Sequence, residues 1–339
     1  MRYRFATAAD LHTCQGLIDP GLRMSRALRA RLTQLWTQLI ESGSALLSVI
    51  EDSEQAHPQG IEAFAAMVFV SDAFAEEFAA APRPYLPALI YDRMMANRSP
   101  VLTPSQIRAA NSGNGLNLVC LHFALRNRAL DHPRTRNTLQ VANTAFFFFV
   151  GGYRIHTLMQ EVYGAEHAQY MTGGGLRLRS DFVDEFSDDT DRPVANEHPY
   201  LFGLDREEIA PVAVNPLSYL FHPLPPRFGF TRTAQRVLEQ ALLVQTDQEI
   251  ASHLGVSVDA VKKTWRGIYE RVENVAPKLL ASRVASSESH HRSAERRRHL
   301  LDYLRTHLEE LRPPPWLASV KVGDPASAGK SRGQSRTES

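Results

Sequence analysis

The sequence predicts an α+β protein in which a mixed α/β N-terminal domain is followed by an all-α C-terminal domain. Three observations predict this class. Strand-type and helix-type patterns alternate in the N-terminal half, residues 230–275 show helical periodicity only, and an acidic stretch interrupted by prolines separates the two parts. We expect domains at 1–181 and 227–282, a linker at 182–226, a basic amphipathic helix at 283–312 and a disordered tail at 313–339.

Length and composition limit the classes of protein to consider. A chain of 339 residues with 43% hydrophobic residues suits two folded domains. No apolar run is long enough to span a membrane, and the first residues lack the apolar core of a signal peptide, so we expect a cytoplasmic protein that does not enter a membrane. Cys14 and Cys120 have no metal-type spacing, and neither do the histidines, so no metal or disulfide framework is predicted.

The N-terminal half begins with a short alternating strand and two helices. A hairpin-like pair of strands follows, then Pro-broken helical pieces between 74 and 110, and then a buried strand. The expected strands are Arg2–Phe5, Ala45–Glu51, Ile61–Val70, Leu116–Leu125 and 169–179; the expected helices are 8–18, 25–40, 138–150 and 153–163.

This order of elements resembles the GNAT acetyltransferase fold, and the opening RYRFATAADLHTCQGLI is similar to that family's first strand and helix. In GNAT enzymes a glycine-containing loop after the central strand holds the coenzyme A pyrophosphate with backbone amides. The corresponding stretch here, ALRNRALDHPRTRNTLQVANTAF, contains no glycine, although Arg134 and Arg136 stand near enough in sequence to touch phosphates. We therefore expect a sensor or oligomerisation domain with no catalytic or cofactor-binding residues; the alternative is an N-acetyltransferase that uses the C-terminal domain for targeting.

Residues 230–275 carry the signals of three short helices. Thr231 is suited to cap the first, and Thr246 with Glu249 forms a capping-box pattern for the second. Gly255 predicts a sharp turn, after which Ser257 caps the third helix. Val256 is expected to fill the core between helices. The expected inward residues of the third helix are Val261, Trp265, Ile268, Tyr269 and Val272. The arrangement is that of a helix-turn-helix DNA-binding unit.

The outward face of the third helix concentrates positive charge near its N-terminal end. Lys and Arg in that position can reach guanine edges or phosphates of double-stranded DNA. The alternative is the solvated face of an amphipathic helix, which explains most charge runs. The predicted DNA-binding residues are Thr246, Gln248, Ser257, Val258, Asp259, Lys262, Lys263 and Arg266.

This stretch resembles, without a gap, the C-terminal domain of LuxR-type transcriptional regulators. The matching segments are Phe230-Thr231, Val237-Leu238, Glu249-Ile250-Ala251, Leu254 to Ser257, Val261-Lys262 and Ile268-Tyr269. The sequence departs from the family at Ala234, Val244, Ala260 and Thr264, so the resemblance implies the fold but no particular base preference. It implies a transcription regulator whose chemistry is recognition of DNA.

Several further patterns leave alternatives open. The run Phe146 to Phe149 either lines an apolar pocket for a small-molecule effector or belongs to a buried helix. The acidic residues Asp184, Asp188, Asp189 and Asp191 suit a solvated linker better than a calcium loop. Leucines 301, 304, 308 and 311 either pair two copies in a homodimer or pack back on the protein, and arginines 292, 296, 297 and 298 are candidates for phosphate contacts.

Overall fold

The computed structural model describes residues 1–186, 193–209, 217–243, 245–280 and 289–313, with only the helical backbone described at 289–293. The strands are β1 Arg2–Phe5, β2 Ala45–Glu51, β3 Ile61–Val70, β4 Leu116–Leu125, β5 Ile155–Tyr163, β6 Arg177–Ser180 and β7 Pro199–Asp205. The helices are α1 Leu11–Leu17, α2 Arg26–Ser42, α3 Asp72–Ala80, α4 Leu86–Met95, α5 Pro104–Ser112, α6 Pro133–Val150, α7 Ala165–Gly173, α8 Ser218–Phe221, α9 Arg232–Leu242, α10 Asp247–Leu254, α11 Val258–Val275 and α12 Ser289–Thr306.

The strands form a seven-stranded sheet in the order β1-β2-β3-β4-β5-β7-β6. β4 and β5 are parallel, and the other neighbouring pairs are antiparallel. The parallel ladder runs only from Leu116 opposite Ile155 to Cys120 opposite Gln160. Beyond it, β4 continues to pair with β3 and β5 continues to pair with β7, so the two central strands part in the middle of the sheet.

Helices cover both faces of this sheet. One face packs against α1 to α4 in a cluster centred on Trp36, Phe64 and Tyr91. The other face packs against α6, and its cluster continues without a break into α8, α9, α11 and α12. The helical C-terminal part therefore shares a hydrophobic core with the sheet.

Most N-terminal elements agree with the sequence predictions, since β1 to β4 have the predicted bounds. The helix predicted at 153–163 is wrong, because this segment is β5. Both faces of β5 are buried, since Leu158 packs in the cluster on one side of the sheet and Met159 in the cluster on the other. Its apolar residues therefore do not alternate and match helical spacing equally well. The strand predicted at 169–179 is instead the end of α7, a glycine turn and β6.

The linker predicted at 182–226 contains structural elements. Pro199–Asp205 is β7, which pairs with β5 along its whole length, and Ser218–Phe221 forms a short helix against the shared core. The prolines and acidic residues that predict a linker flank a short buried apolar run. Within 283–312 the helix covers 289–306 and is followed by a 3-10 turn at Leu308–Leu311. Among the helices that the structure describes, none has the length and apolar character needed to span a bilayer.

Candidate nucleic-acid interface

The supporting helix α9 begins at the predicted cap. The Thr231 hydroxyl accepts a hydrogen bond from the Ala234 amide at 3.3 Å, which satisfies one of the free amides at the helix start. Its apolar residues recur at three- and four-residue spacings and are all buried, namely Ala234, Val237, Leu238, Ala241 and Leu242. Gln235, Glu239 and Gln240 of the same helix are also buried, which the apolar spacing does not indicate.

Helix α10 begins at the predicted capping box and ends at the predicted glycine. The Glu249 carboxylate accepts from the Thr246 amide at 2.7 Å, and the Glu249 amide donates to the Thr246 hydroxyl at 3.3 Å, which completes the capping box. Gly255 ends α10 with φ 65°, in the left-handed region that glycine adopts without strain. Val256 does not fill the core as predicted: its side chain is 45% exposed, because its amide continues the C-cap by donating to Ala251 and turns the side chain outward.

Helix α11 buries one face and exposes the other. Val261, Trp265, Ile268 and Val272 are buried as predicted. Tyr269 is only half-buried and stacks on Trp265, with ring centroids 5.6 Å apart. Asp259, Lys262, Lys263 and Arg266 are exposed and follow one another at spacings of three, one and three residues, which places them on one face.

The predicted DNA-binding residues divide into three groups. Gln248, Asp259, Lys262, Lys263 and Arg266 are exposed, and within the described residues they make no ion pair. Thr246 and Ser257 are exposed, but their hydroxyls already accept from the backbone of their own helices. Val258 is half-buried and packs on the shared core, so it belongs to the interior rather than to the surface. The exposed surface formed by Gln248, Asp259, Lys262, Lys263 and Arg266 is called the cationic face below.

The arginines of α12 that the sequence offers for phosphate contacts hold that helix to α10 and α11. Arg297 bonds Asp247 at 2.8 Å, and its guanidinium lies 4.5 Å from the centre of the Trp265 ring. Arg296 bonds Glu273 at 2.6 Å and lies 4.7 Å from the Tyr269 ring. Arg298 is exposed, and the side chain of residue 292 lies outside the described residues.

The leucines of α12 pack back on the protein. Leu300, Leu304 and Leu311 have no exposed surface, and Leu301 and Leu308 are half-buried against the same cluster. The structure thus shows the second of the two alternatives for the leucine spacing. The seam is buried within the chain, so a homodimer requires a different surface.

Residues Leu308 to Pro313 form a strap between α9 and the sheet. Arg312 is 4% exposed; its guanidinium bonds Glu239 of α9 at 2.8 Å, donates to the carbonyl oxygens of Phe148 and Gly151, and lies 4.7 Å from the Tyr153 ring. The strap also fixes the entry to α9. The fully buried Glu310 carboxylate accepts from the backbone amides of residues 227 and 228, at 2.7 and 2.9 Å.

The Gly151-Gly152 pair is where the strap crosses the sheet domain. Gly152 has φ 82°, and a β-carbon on it would come within 2.4 Å of the Leu308 carbonyl carbon and 2.3 Å of the Glu309 amide nitrogen. Glycine is therefore required here for close approach of the backbone. The glycine pair thus forms a break after α6 that permits the strap to pack closely against it.

Polar side chains from the first turn of α6 hold the loop between β4 and α6 in place. Arg134 bonds both Asp52 and Glu62 at 2.8 Å, so two carboxylates neutralise this candidate for phosphate contact. The buried Thr135 hydroxyl donates to the Asn127 carbonyl across the loop. Arg136 is exposed.

Buried polar groups in the sheet domain are not revealed by any sequence pattern. Burial raises the pKa of Glu161 on β5 to about 7, while hydrogen bonds from Tyr163 and from the backbone amides of residues 85 and 86 act to lower it. A second buried polar group lies on β4, the strand that parts from β5. There Trp36 donates to the Tyr91 hydroxyl, which lies 2.8 Å from His122. Burial lowers the pKa of His122 to about 3, so this imidazole is neutral at physiological pH.

The aromatic run at the end of α6 is divided between the buried core and the wall of a cavity. Phe148 and Phe149 are buried in the shared core, where Phe149 packs edge-on against Phe5 of β1. Phe146 and Phe147 line a cavity between α6 and the sheet. In the described part of the chain, no group of three or more His, Cys, Asp or Glu side chains is arranged to hold a metal ion; Asp188, Asp189 and Asp191 lie outside that part.

Comparison with known proteins gives likenesses in fold alone. No protein-family model and no curated protein matches this chain. A spermidine/spermine N-acetyltransferase SpeG from Vibrio cholerae is 11% identical and aligns over 60% of this chain and 93% of its own, with a TM-score of 0.35. FeeM, an N-acyl amino acid synthase from uncultured soil microbes, is 11% identical over 61% and 92%, with a TM-score of 0.31. A histone acetyltransferase HPA2-related acetyltransferase from Corynebacterium glutamicum is 16% identical over 60% and 93%, with a TM-score of 0.32.

These likenesses cover the N-terminal part of the chain, where the structure has the mixed α/β sheet expected from the GNAT resemblance. At such identities and TM-scores they carry no statement about activity. The C-terminal helical unit has no counterpart among them.

Proposed function

We propose that this protein is a sequence-specific DNA-binding transcriptional regulator whose recognition helix is α11. The supporting observation is the contrast between two sets of neighbouring cations. Lys262, Lys263 and Arg266 extend from α11 with no ion-pair partner among the described residues, whereas Arg296 and Arg297 beside them are each engaged by a carboxylate and an aromatic ring.

The second support is the way the cationic face is positioned. A capped helix, a glycine turn and a second capped helix orient α11 so that its first turns project from the protein. Helix-turn-helix proteins present the N-terminal residues of their second helix to base edges in the same manner. A solvated amphipathic helix explains exposed charge but requires neither the capping box nor the left-handed glycine.

The N-terminal domain is proposed to be non-catalytic. Coenzyme A pyrophosphate requires several backbone amides at close range, and glycines usually provide that approach. Here the loop after β4 is packed by Thr135, and Arg134 is already paired with Asp52 and Glu62. An acetyltransferase targeted to DNA is the alternative function, and binding of acetyl-CoA distinguishes it from the proposed one.

The proposed partner is double-stranded DNA, bound by a homodimer. Dimeric helix-turn-helix proteins read two half-sites about 34–36 Å or a multiple of that distance apart. The direct test is to select sequences from a random duplex pool with the full-length protein and sequence what is retained. We expect one enriched motif, repeated at a fixed spacing. Retention of sequences with no shared motif would contradict a sequence-specific regulator, and a single unrepeated motif would contradict the homodimer.

A further inference from the structure

The cavity beside α6 has the size of a small-molecule site. Its volume is about 540 Å³, within the range of roughly 300–1,000 Å³ found for ligand pockets. It lies between the sheet, from β2 to β5, and the helices α6 and α7. Ala65 marks its floor: although this residue is in the middle of the sheet, with Ser48 opposite it on one side and Phe123 on the other, it is only half-buried.

Small side chains on both walls create the space. Ala63 and Ala65 line the sheet side, and the helical side is lined by Ala142, Ala145, Gly173 and Gly174. Interiors of proteins are normally filled to crystal-like density, so a void of this size between a helix and a sheet is unusual in a simple core. Three phenylalanines, at positions 123, 146 and 147, give the remaining walls an aromatic surface.

The lining indicates the chemistry of the occupant. No Asp, Glu, Lys, Arg or His is among the described residues that line the cavity, so nothing there would offset the cost of burying a charged ligand. A few polar side chains line the cavity, namely Ser48, Asn143, Gln160 and Tyr170, and they allow only a limited set of hydrogen bonds. Within the described residues none of these four side chains has a hydrogen-bond partner.

We propose that this cavity is a binding site for one uncharged, mainly apolar small molecule that carries one or two hydrogen-bonding groups. The apolar body packs between Phe123, Phe146 and Phe147, and its polar groups bond Ser48, Asn143 or Gln160. The cavity does not suit the phosphates of coenzyme A, because they would meet no cation among the described lining residues. The site is independent of the cationic face on α11 and does not depend on whether the protein binds DNA.

The test uses the neutral fluorescent probe N-phenyl-1-naphthylamine with the full-length protein. Competition by 1-decanol is compared with competition by decanoate at pH 8, since the two differ mainly in charge. We expect one probe bound per chain, and we expect decanol to displace it at a concentration at least tenfold lower than decanoate does.

Two cavity-filling variants locate the site. Ala65→Trp fills it from the sheet and Ala142→Trp fills it from α6; each should weaken probe binding at least tenfold. Ala30→Trp, on the exposed face of α2, adds the same side chain elsewhere and should bind the probe as the wild type does. Circular dichroism confirms that each variant is folded. The proposal is overturned if the wild type binds no probe, if decanoate competes as well as decanol, or if both folded filling variants bind the probe like the wild type.

Discussion

At the scale of single residues, Trp265 connects the interior of the helical unit to α12. Its ring is 5% exposed, stacks on Tyr269 and lies under the Arg297 guanidinium. The burial of Trp265 is predicted by its position on the inward face of α11. The aromatic and cationic partners do not follow from that spacing, because one of them comes from a helix that begins beyond the predicted domain boundary.

Truncation of this ring should be costly. We expect Trp265→Ala to lower the free energy of unfolding by about 3–5 kcal/mol, since it removes a large buried side chain and the cation–π contact with Arg297. Urea unfolding followed by circular dichroism measures the change. Tyr219, which is 73% exposed, provides the control, and Tyr219→Ala should change the free energy by less than about 0.5 kcal/mol. A similar small change for Trp265→Ala would contradict its placement in the core.

Glu161 should make stability depend on pH. Burial raises its pKa in the folded protein to about 7, above the ordinary value of 4.5. The stabilising contribution of the protonated carboxyl is therefore fully present below pH 4.5 and is lost as the pH rises through 7. We expect the unfolding free energy of the wild type, relative to Glu161→Gln, to fall by about 2–3 kcal/mol between pH 5 and pH 8. A difference that stays constant over this range would show that Glu161 titrates normally.

At the scale of elements, the strap Leu308–Pro313 determines how α9 sits on the sheet domain. The Arg312 guanidinium lies between a carboxylate of α9 and two carbonyl oxygens at the end of α6. A buried ion pair adds little when compared with apolar groups of the same shape, but removal of one partner leaves a buried charge unpaired. The strap therefore fixes a geometry more than it adds net stability.

This asymmetry predicts the outcome of a double-mutant cycle. Arg312→Met should destabilise the protein by about 3–5 kcal/mol, because Glu239 is then left buried without a partner. Adding Glu239→Leu should restore part of that loss. The coupling free energy between the two substitutions should exceed about 0.5 kcal/mol, which is the deviation from additivity expected for independent sites. Thermal unfolding of the two single variants and the double variant measures the cycle. Strictly additive effects would contradict a direct pair.

Local sequence patterns predict some elements of this fold and miss others. Short-range signals, such as the caps at Thr231, Thr246 and Ser257, are all found as predicted, because each depends on residues three positions apart. The pattern of β5 does not indicate a strand, because a strand covered on both faces loses its alternation. β7 is hidden in the sequence because prolines and acidic residues flank a short apolar run. The Arg312 pair joins residues 73 positions apart, which no local pattern reveals.

At the scale of the whole molecule, the sheet domain and the helical unit are joined by a continuous cluster of buried side chains and by the strap. The cationic face lies on the side of α11 that this cluster leaves exposed. A fragment of residues 1–181 would lack β7, which pairs with β5 in the sheet. Experiments on the N-terminal domain therefore require the full chain.

Titration of acetyl-CoA into the full-length protein separates a transcriptional regulator from a targeted acetyltransferase. We expect weak or no binding by calorimetry and no acetyl transfer to amines, because Thr135 packs the loop after β4 and Arg134 is already paired. Micromolar binding, about −8 kcal/mol, would favour an acetyltransferase targeted by its helical domain.

The most direct test of the central claim is a fluorescence-anisotropy titration of the selected duplex with two matched triple variants. Lys262→Ala/Lys263→Ala/Arg266→Ala removes three charges from the cationic face, and Arg26→Ala/Arg29→Ala/Arg31→Ala removes three from exposed positions on α2, which packs on the opposite face of the sheet. We expect the first variant to lose about 1–3 kcal/mol of binding free energy for each base contact and to show a weaker salt dependence. The second should bind as the wild type does. Equal affinity of the wild type and the α11 variant would contradict the assignment of α11 as the recognition helix.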